Sequence, residues 1–396
     1  MNLISLFFIF VFVVSALGIL HTYFFYPVWM MLFTTKKIQN DNLHEESDLE
    51  NLPTVAILFA AYNEESVLDA KLKSTFNTSY PLDKLKVYVG SDASTDRTNE
   101  IVKQYAEKYP ELKLIEFPGR TGKAGIINKL AEQSNAELFI LTDANVLFFE
   151  NTIFELIKHF KNNDVAQVAA NIIKVSPSKQ GIASQEMNYI QVENKIKYAE
   201  SLRWKIIMGA EGGCYAIRKE FFAPVPKNFF MDDFYITMSV IEKNKQVLFE
   251  PNAICNEDVP TSSNEEFKRK VRISIGNFQN LMRFKTLLFK SNVGFAFLSH
   301  KLLRWLTPFF LIITFVSSFF LSWFHNLFFF FFIAELFLLL SPAFSGLFGR
   351  KNSKGPIHYA SHFVKMNVAL LKGFFIWLKG VESNVWQPTK RNNDSL

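Results

Sequence analysis

Asp143 and Asn145 stand two positions apart at the end of an apolar run, in "ELFILTDANVLFFE" (137–150). The apolar residues before them, Leu138 to Leu141, read as a buried strand. Side chains two apart on an extended chain point to the same face. A carboxylate and an amide oxygen on one face, at a strand's carboxyl end, have the geometry to hold a divalent cation. They equally fit an ordinary Asx turn that ends the strand. Other metal chemistry has little support. The seven histidines show no ligand spacing, and Cys214 and Cys255 are the only cysteines, so no zinc site is expected.

The elements that must position this pair alternate from Pro53 onward. "TVAILFA" (54–60), "LKVYVG" (85–90), "LKLIEF" (112–117) and "ELFILT" read as short strands. Between them "ESVLDAKLKSTFNTS", "TDRTNEIVKQYAEKY" and "KAGIINKLAEQS" read as helices, the first two stopping before Pro81 and Pro110. Such alternation makes parallel βαβ units, an α/β fold with helices on both faces of the sheet. Ligands of these sheets bind beyond the strands' carboxyl ends. The polar clusters "AYNEE", "SDASTD", "GRTGK" and "TDAN" lie at those ends and converge on one crevice. Neither nucleotide fingerprint applies. No glycine-rich turn follows the first strand, and "GRTGKAG" (119–125) has Phe117 and Ala124 where a P-loop needs Gly and Ser/Thr.

The chain's 396 residues include 44 Phe, and 49% are hydrophobic, which suits a membrane protein carrying one soluble domain. "LISLFFIFVFVVSALGIL" (3–20) is uncharged and long enough to span roughly 30 Å of hydrocarbon. Nothing basic precedes it, apolar character continues through "TYFFYPVWMMLF", and Lys36 and Lys37 follow. Residues 1–35 therefore read as an anchor, not a cleaved signal, and 36–52 as a polar linker. Two further runs, 305–324 and 327–349, make a pair of spans within 301–350. Lys301 and Arg304 precede the pair, Arg350, Lys351 and Lys354 follow it, and the turn between has no Lys or Arg. The positive-inside rule places that turn and the N-terminus outside, and residues 53–260 in the cytoplasm at the inner membrane. Residues 261–300 read as amphipathic interface helices, with Phe267, Val271, Ile275, Phe278 and Leu281 on one stripe. Within 351–396, Lys365, Lys372 and Lys379 recur every seven residues, the mark of an amphipathic helix lying on the membrane before a basic tail. The net charge of +6 lies largely beside the membrane, and no aromatic-interleaved basic stripe points to nucleic acid.

On this framework the motifs resemble the family 2 glycosyltransferases with the GT-A fold, over roughly residues 52 to 290. "AAYNEE" resembles the opening nucleotide-binding loop, which implies donor contacts at Ala61, Tyr62 and Glu64. "GSDASTDRT" resembles the second-strand Asp loop, placing Asp92 at the position that holds uracil, with Ser91 where many relatives have a second Asp. "GKAGIIN" resembles the Gly-Lys-Ala loop and brings Lys123 and Asn128 to the donor. "TDAN" resembles the DxD motif, making Asp143 and Asn145 the metal ligands, with an amide where a second carboxylate is common. "MDDF" (231–234) resembles the motif that supplies the general base, Asp233, beside Asp232 on the acceptor side. The paired glycines Gly212 and Gly213 match a loop near the acceptor, and serve equally as a plain turn. Arg272 stands where processive members carry the Arg of Q-x-x-R-W, while Arg269 and Ile273 replace the Gln and Trp.

The resemblance implies a membrane-bound, inverting enzyme. It would move a sugar from a nucleotide-diphospho-sugar, with UDP expected, to a membrane-associated or growing saccharide acceptor. Mg2+ or Mn2+ is the expected cofactor, neutralising the diphosphate as it leaves. Asp233 would take the acceptor's proton. Capping is an alternative reason for acid there, since Asp232 and Asp233 open the helical pattern "DDFYITMSVIEK". A processive polysaccharide synthase coupled to secretion and a non-catalytic membrane scaffold are the competing readings.

Overall fold

The computed structural model describes residues 3–32, 52–175, 182–258, 263–348 and 355–381. Residues 36–51 of the linker expected at 36–52, the basic residues 350–354 and the tail 382–396 lie outside the described residues. In chain order the helices are α1 (Leu3–Leu20), α2 (Tyr26–Leu32), α3 (Glu65–Phe76), α4 (Thr98–Lys108), α5 (Lys123–Gln133), α6 (Thr152–Ile157) and α7 (Ile182–Trp204). They continue with α8 (Asp232–Glu242), α9 (Ser263–Phe284), α10 (Ser291–Ala296), α11 (Leu303–Leu321), α12 (Asn326–Phe348) and α13 (Pro356–Lys379). The strands are β1 (Val55–Ala61), β2 (Leu85–Ser91), β3 (Leu112–Glu116), β4 (Leu138–Thr142), β5 (Val146–Phe148), β6 (Val165–Val175), β7 (Cys214–Arg218) and β8 (Gln246–Asp258). The chain forms two units. One comprises residues 1–32, 178–189 and 261–380, the other 33–177, 190–260 and 381–396.

The second unit is built on one eight-stranded sheet of order β3-β2-β1-β4-β7-β6-β8-β5. β1 to β4 are parallel, as the alternation predicts. β7 then runs antiparallel to both β4 and β6, and β6 and β8 are long parallel partners. Successive residues of β1 face opposite sides, and Val55, Ile57, Phe59 and Ala61 join a core with Leu68 and Leu72 of α3, Val102 of α4 and Leu156 of α6. Ile126, Ile127 and Leu130 of α5 are buried outside that cluster. Gly90 on β2 lets α5 approach closely, since a Cβ there would stand 2.2 Å from Ile126. Helices thus cover both faces, the architecture expected from the sequence.

Among the described residues, three helices of the other unit are long and apolar enough to cross a membrane: Leu3–Leu32, Ser291–Leu321 and Asn326–Ser345. The first two are continuous through π-helical turns at His21–Phe25 and Phe297–Leu302. Phe8 of α1 stacks on Phe320 of α11 at 4.3 Å between centroids. α13, with its lysine stripe, is not among the three. It packs on α9 instead. Phe278, on the predicted apolar stripe, meets Phe374 and Trp377 of α13. Ser274 Oγ donates to the Leu370 carbonyl at 2.6 Å, and Gly373 fits there because a Cβ would fall 2.4 Å from that of Ser274. The stripe on α9 is therefore covered by a neighbouring helix within the unit.

Candidate active site

The carboxyl ends of β1 to β4 carry the loops 62–64, 92–97, 117–122 and 143–145. Because β7 is antiparallel to β4 and pairs Cys214 with Thr142, its amino end brings Gly212 and Gly213 to the same edge. Several non-glycine residues there have left-handed backbone: Asn63 (φ 52°), Ala93 (φ 58°) and Met231 (φ 58°). Strained residues of this kind gather where surrounding structure holds a working geometry. The first two loops are stitched together. The Thr95 amide donates to Asn63 Oδ1 at 2.8 Å, and the Arg97 amide to Glu65 Oε2 at 3.0 Å.

Asp92 follows β2 and is 3% exposed. Its amide donates to the Ala61 carbonyl. Its carboxylate accepts from Arg120 Nε (3.0 Å), from the Gly122 amide (3.1 Å) and from the Thr121 amide. The Arg120 guanidinium lies 3.3 Å from the centre of the Tyr62 ring. Tyr62, Arg120 and Asp92 therefore form one stacked wall, with Arg120 laid over the two residues expected at the nucleotide. Glu64, also expected there, is buried at the start of α3, where its carbonyl accepts the first helical amides. Asn128 commits its amide to Val225, donating to that residue's carbonyl at 2.9 Å and accepting from its nitrogen at 3.0 Å. Here Asn128 anchors the segment leading toward α8.

Lys123 stands at the centre. Its Nζ lies 2.6 Å from Asp143 Oδ1, 3.7 Å from Asp232 Oδ2 and 3.5 Å from the Gly212 carbonyl. Burial pulls the ammonium's pKa down, but Asp143 and Asp232 outweigh it and hold the group above the usual lysine range. Asp233 completes the cluster. Its Oδ1 accepts from the Phe234 amide at 2.7 Å, and the Gly212 amide also donates to it. Burial and the neighbouring Asp232 push Asp233 up to about 7, against the pull of Lys123. Gly212 must be small, since a Cβ there would stand 3.0 Å from Asp233 Oδ2. At Gly213 a Cβ would fall 2.6 Å from Ile172. Thr237 Oγ1 donates to the Asp233 carbonyl (2.8 Å) and accepts from the Ala210 amide (3.2 Å), tying the glycine loop to the first turn of α8.

The structure thus brings Asp143, Lys123, Asp232, Asp233 and Gly212 together, with Asn145 on the same turn as Asp143. Arg272 lies on α9, in the other unit, where burial and the adjacent Arg269 lower its pKa. Sequence reasoning passed over Arg120, Thr237, Thr142 and Lys71. The last carries a legible signal, a lysine at helical spacing between the apolar Leu68 and Thr75 of α3, and it is fully buried. Burial pulls its ammonium down to about 8.

Three of the loops at this edge, with Asp143 and the glycine pair, lie within the stretch that a known family matches. The model of the family described as Glycosyl transferase family 2 matches residues 56–224. The chain carries a family 2 glycosyl transferase domain. Its curated relatives include "Probable glycosyltransferase YdaM" of Bacillus subtilis, 27% identical over 61% of this chain and 60% of that protein. The poly-beta-1,6-N-acetyl-D-glucosamine synthase of Staphylococcus epidermidis is 23% identical over 65% of each chain. The beta-monoglucosyldiacylglycerol synthase of a Nostoc species is 29% identical over 32% of this chain and 27% of its own. The match thus spans less than two thirds of these relatives' lengths. A mannosyltransferase from Pyrobaculum calidifontis, solved with GDP-Man and Mn2+, superposes with a TM-score of 0.67 at 21% identity, over 93% of this chain and 99% of that one. That likeness establishes the GT-A-type fold of the family 2 domain.

Proposed function

We propose that the protein is a membrane-bound inverting glycosyltransferase. It moves a sugar from a nucleotide-diphospho-sugar, a UDP-sugar, to a membrane-associated or growing saccharide acceptor in polysaccharide or glycolipid synthesis. The observation that carries this reading is the Lys123 ammonium, held within 4 Å of Asp143 and Asp232 beside a carboxyl group whose pKa is raised to about 7, Asp233. Asp233 is poised to accept the acceptor hydroxyl's proton at neutral pH, the condition under which a general base works best. Direct attack on the anomeric carbon from that side inverts its configuration. Lys123 meets the negative charge that gathers on the departing diphosphate. Tyr62, Arg120 and Asp92 form the wall against which the nucleoside lies. Gly212, Gly213 and Asp232 border the acceptor side.

The residues fit a divalent cation. Lys123 shows that positive charge is already favoured beside Asp143. Among the described residues no group of three or more His, Cys, Asp or Glu side chains is arranged to hold a metal. One carboxylate, Asp143, and the Asn145 amide make a partial oxygen set of the kind Mg2+ or Mn2+ takes together with substrate phosphates. When bound, that ion would supply Lewis-acid neutralisation of the leaving diphosphate.

The three apolar helices, with basic residues flanking the α11–α12 pair, favour a multi-pass protein of the inner membrane with its sheet unit in the cytoplasm. Polymer extension is the second reading, favoured by the likeness to the poly-beta-1,6-N-acetyl-D-glucosamine synthase. Ile273 in place of a Trp argues for one or few additions, and product length separates the two. The test uses detergent-solubilised protein with Mn2+ and a panel of nucleotide sugars, reading released UDP or GDP. Release from one donor, reduced about 10²–10⁴-fold by Asp233→Asn, is the expected result. If no sugar nucleotide turns over and none binds, the scaffold reading replaces this one.

A further inference from the structure

Lys71 is an unusual residue to find inside a protein. It lies on the inward stripe of α3, between Leu68 and Thr75, and is 0% exposed. Burying an ammonium costs several kcal/mol unless its donors are met. No carboxylate lies within 4 Å of it among the described residues; instead Nζ donates to Thr142 Oγ1 at 3.0 Å and to the Val146 carbonyl at 2.7 Å. It also sits 3.8 Å from the centre of the Phe148 ring, a cation–π contact that eases its desolvation.

The two acceptors are not arbitrary. Thr142 ends β4 and Val146 begins β5, so they are the residues that bracket Asp143-Ala144-Asn145. One ammonium therefore grips both feet of the turn that displays the proposed metal ligands. The turn is further closed by the Val146 amide, which donates to the Asp143 carbonyl at 3.2 Å. The chain of contacts continues. Thr142 Oγ1, accepting from Lys71, donates in turn to the Gly213 carbonyl at 2.8 Å, and the Asp143 amide donates to the same carbonyl at 3.2 Å. Lys71 thus links the metal-facing turn to the glycine loop that flanks Asp233.

We propose that Lys71 is a positioning residue, whose buried ammonium fixes the Thr142–Val146 turn so that Asp143 and Asn145 face a divalent cation. This rests on the metal reading of the preceding section. A purely structural role would need only volume at this point, and a methionine supplies nearly the same volume without a charge to desolvate. Replacing the ammonium by a thioether removes the desolvation cost of the charge, which offsets the two hydrogen bonds lost. Stability and metal affinity should therefore part company. Loss of a side chain that orients metal ligands typically weakens binding about 10–100-fold.

The experiment measures Mn2+ uptake by the full-length, detergent-solubilised chain, following free Mn2+ by electron paramagnetic resonance with UDP or GDP present. Thermal unfolding without metal is recorded alongside. Lys71→Met is expected to unfold no earlier than the wild type, yet to bind Mn2+ about 10–100-fold more weakly. Thr142→Val, which removes the gripped hydroxyl, should weaken Mn2+ binding in the same direction, while Thr142→Ser should restore it. The threonine pair decides the matter should Lys71→Met fail to fold. Unchanged Mn2+ affinity in a folded Lys71→Met, or in Thr142→Val, overturns the positioning role alone. A wild-type chain that takes up no Mn2+ with either nucleotide overturns the metal reading and this role with it.

Discussion

At the scale of single residues Asp233 is the proposed general base, and its environment gives it opposite expected effects on catalysis and stability. Its carboxyl is raised from 3.8 to about 7, chiefly by burial and by Asp232. A base must be ionised, so kcat/KM is expected to fall tenfold per pH unit below about 7, and a flat profile from pH 5 to 8 would contradict the assignment. Stability runs the other way. Between the two values the folded chain holds a proton that the unfolded chain has released, so this group's contribution to stability declines as pH rises through that window. Asp233→Asn removes the ionisation. The variant should unfold at a higher temperature than wild type, with a wider gap at pH 8 than at pH 5. Asp143, Asn145 and Lys123 were legible as candidates because their polar clusters follow apolar strands, whereas Asp233, in the first turn of α8, was legible only through its resemblance to the family motif. The partners of Asp92 were not, because Arg120 reaches it across a loop whose path no local pattern specifies. Lys71 escaped notice because a lysine is ordinarily read as solvated.

At the scale of elements, β1 to β4 begin and end within a residue or so of where the sequence places them. Each is a short apolar run bounded by charge or glycine; α4 stops at Lys108, just before Pro110, whereas α3 ends at Phe76, short of the expected stop before Pro81. The second half of the sheet was largely illegible. β6 and β8 are 11 and 13 residues long, and their pairing shifts register between Ala170 and Asn171. An irregularity there breaks the period-two pattern by which strands are recognised. The reversal of β7, which delivers the glycine loop, is a fact of topology and leaves no mark in the sequence beyond the paired glycines themselves. That loop makes its own prediction. Gly212→Ala would place a methyl 3.0 Å from Asp233 Oδ2, forcing the carboxylate aside. The expected result is a fall in kcat of roughly 10²-fold, the scale of a misplaced catalytic group, with the unfolding temperature little changed. Equal losses in both would mean that Gly212 serves the fold and not the base.

At the scale of the whole molecule, a family 2 glycosyl transferase domain shares one chain with three helices able to cross a bilayer. Those spans were plain in the sequence, because some twenty uncharged apolar residues in a row have little other use. The covering of the α9 stripe by α13 was not, since a basic amphipathic helix reads the same whether lipid or another helix covers it. Asp233 is proposed to drive a single direct displacement at the anomeric carbon. The measurement that bears on it most directly is proton NMR of the product formed from an α-linked nucleotide sugar, read at the new anomeric centre. A β-configured product is the predicted outcome. An α-configured product would mean retention and would contradict Asp233 as the base of a direct displacement.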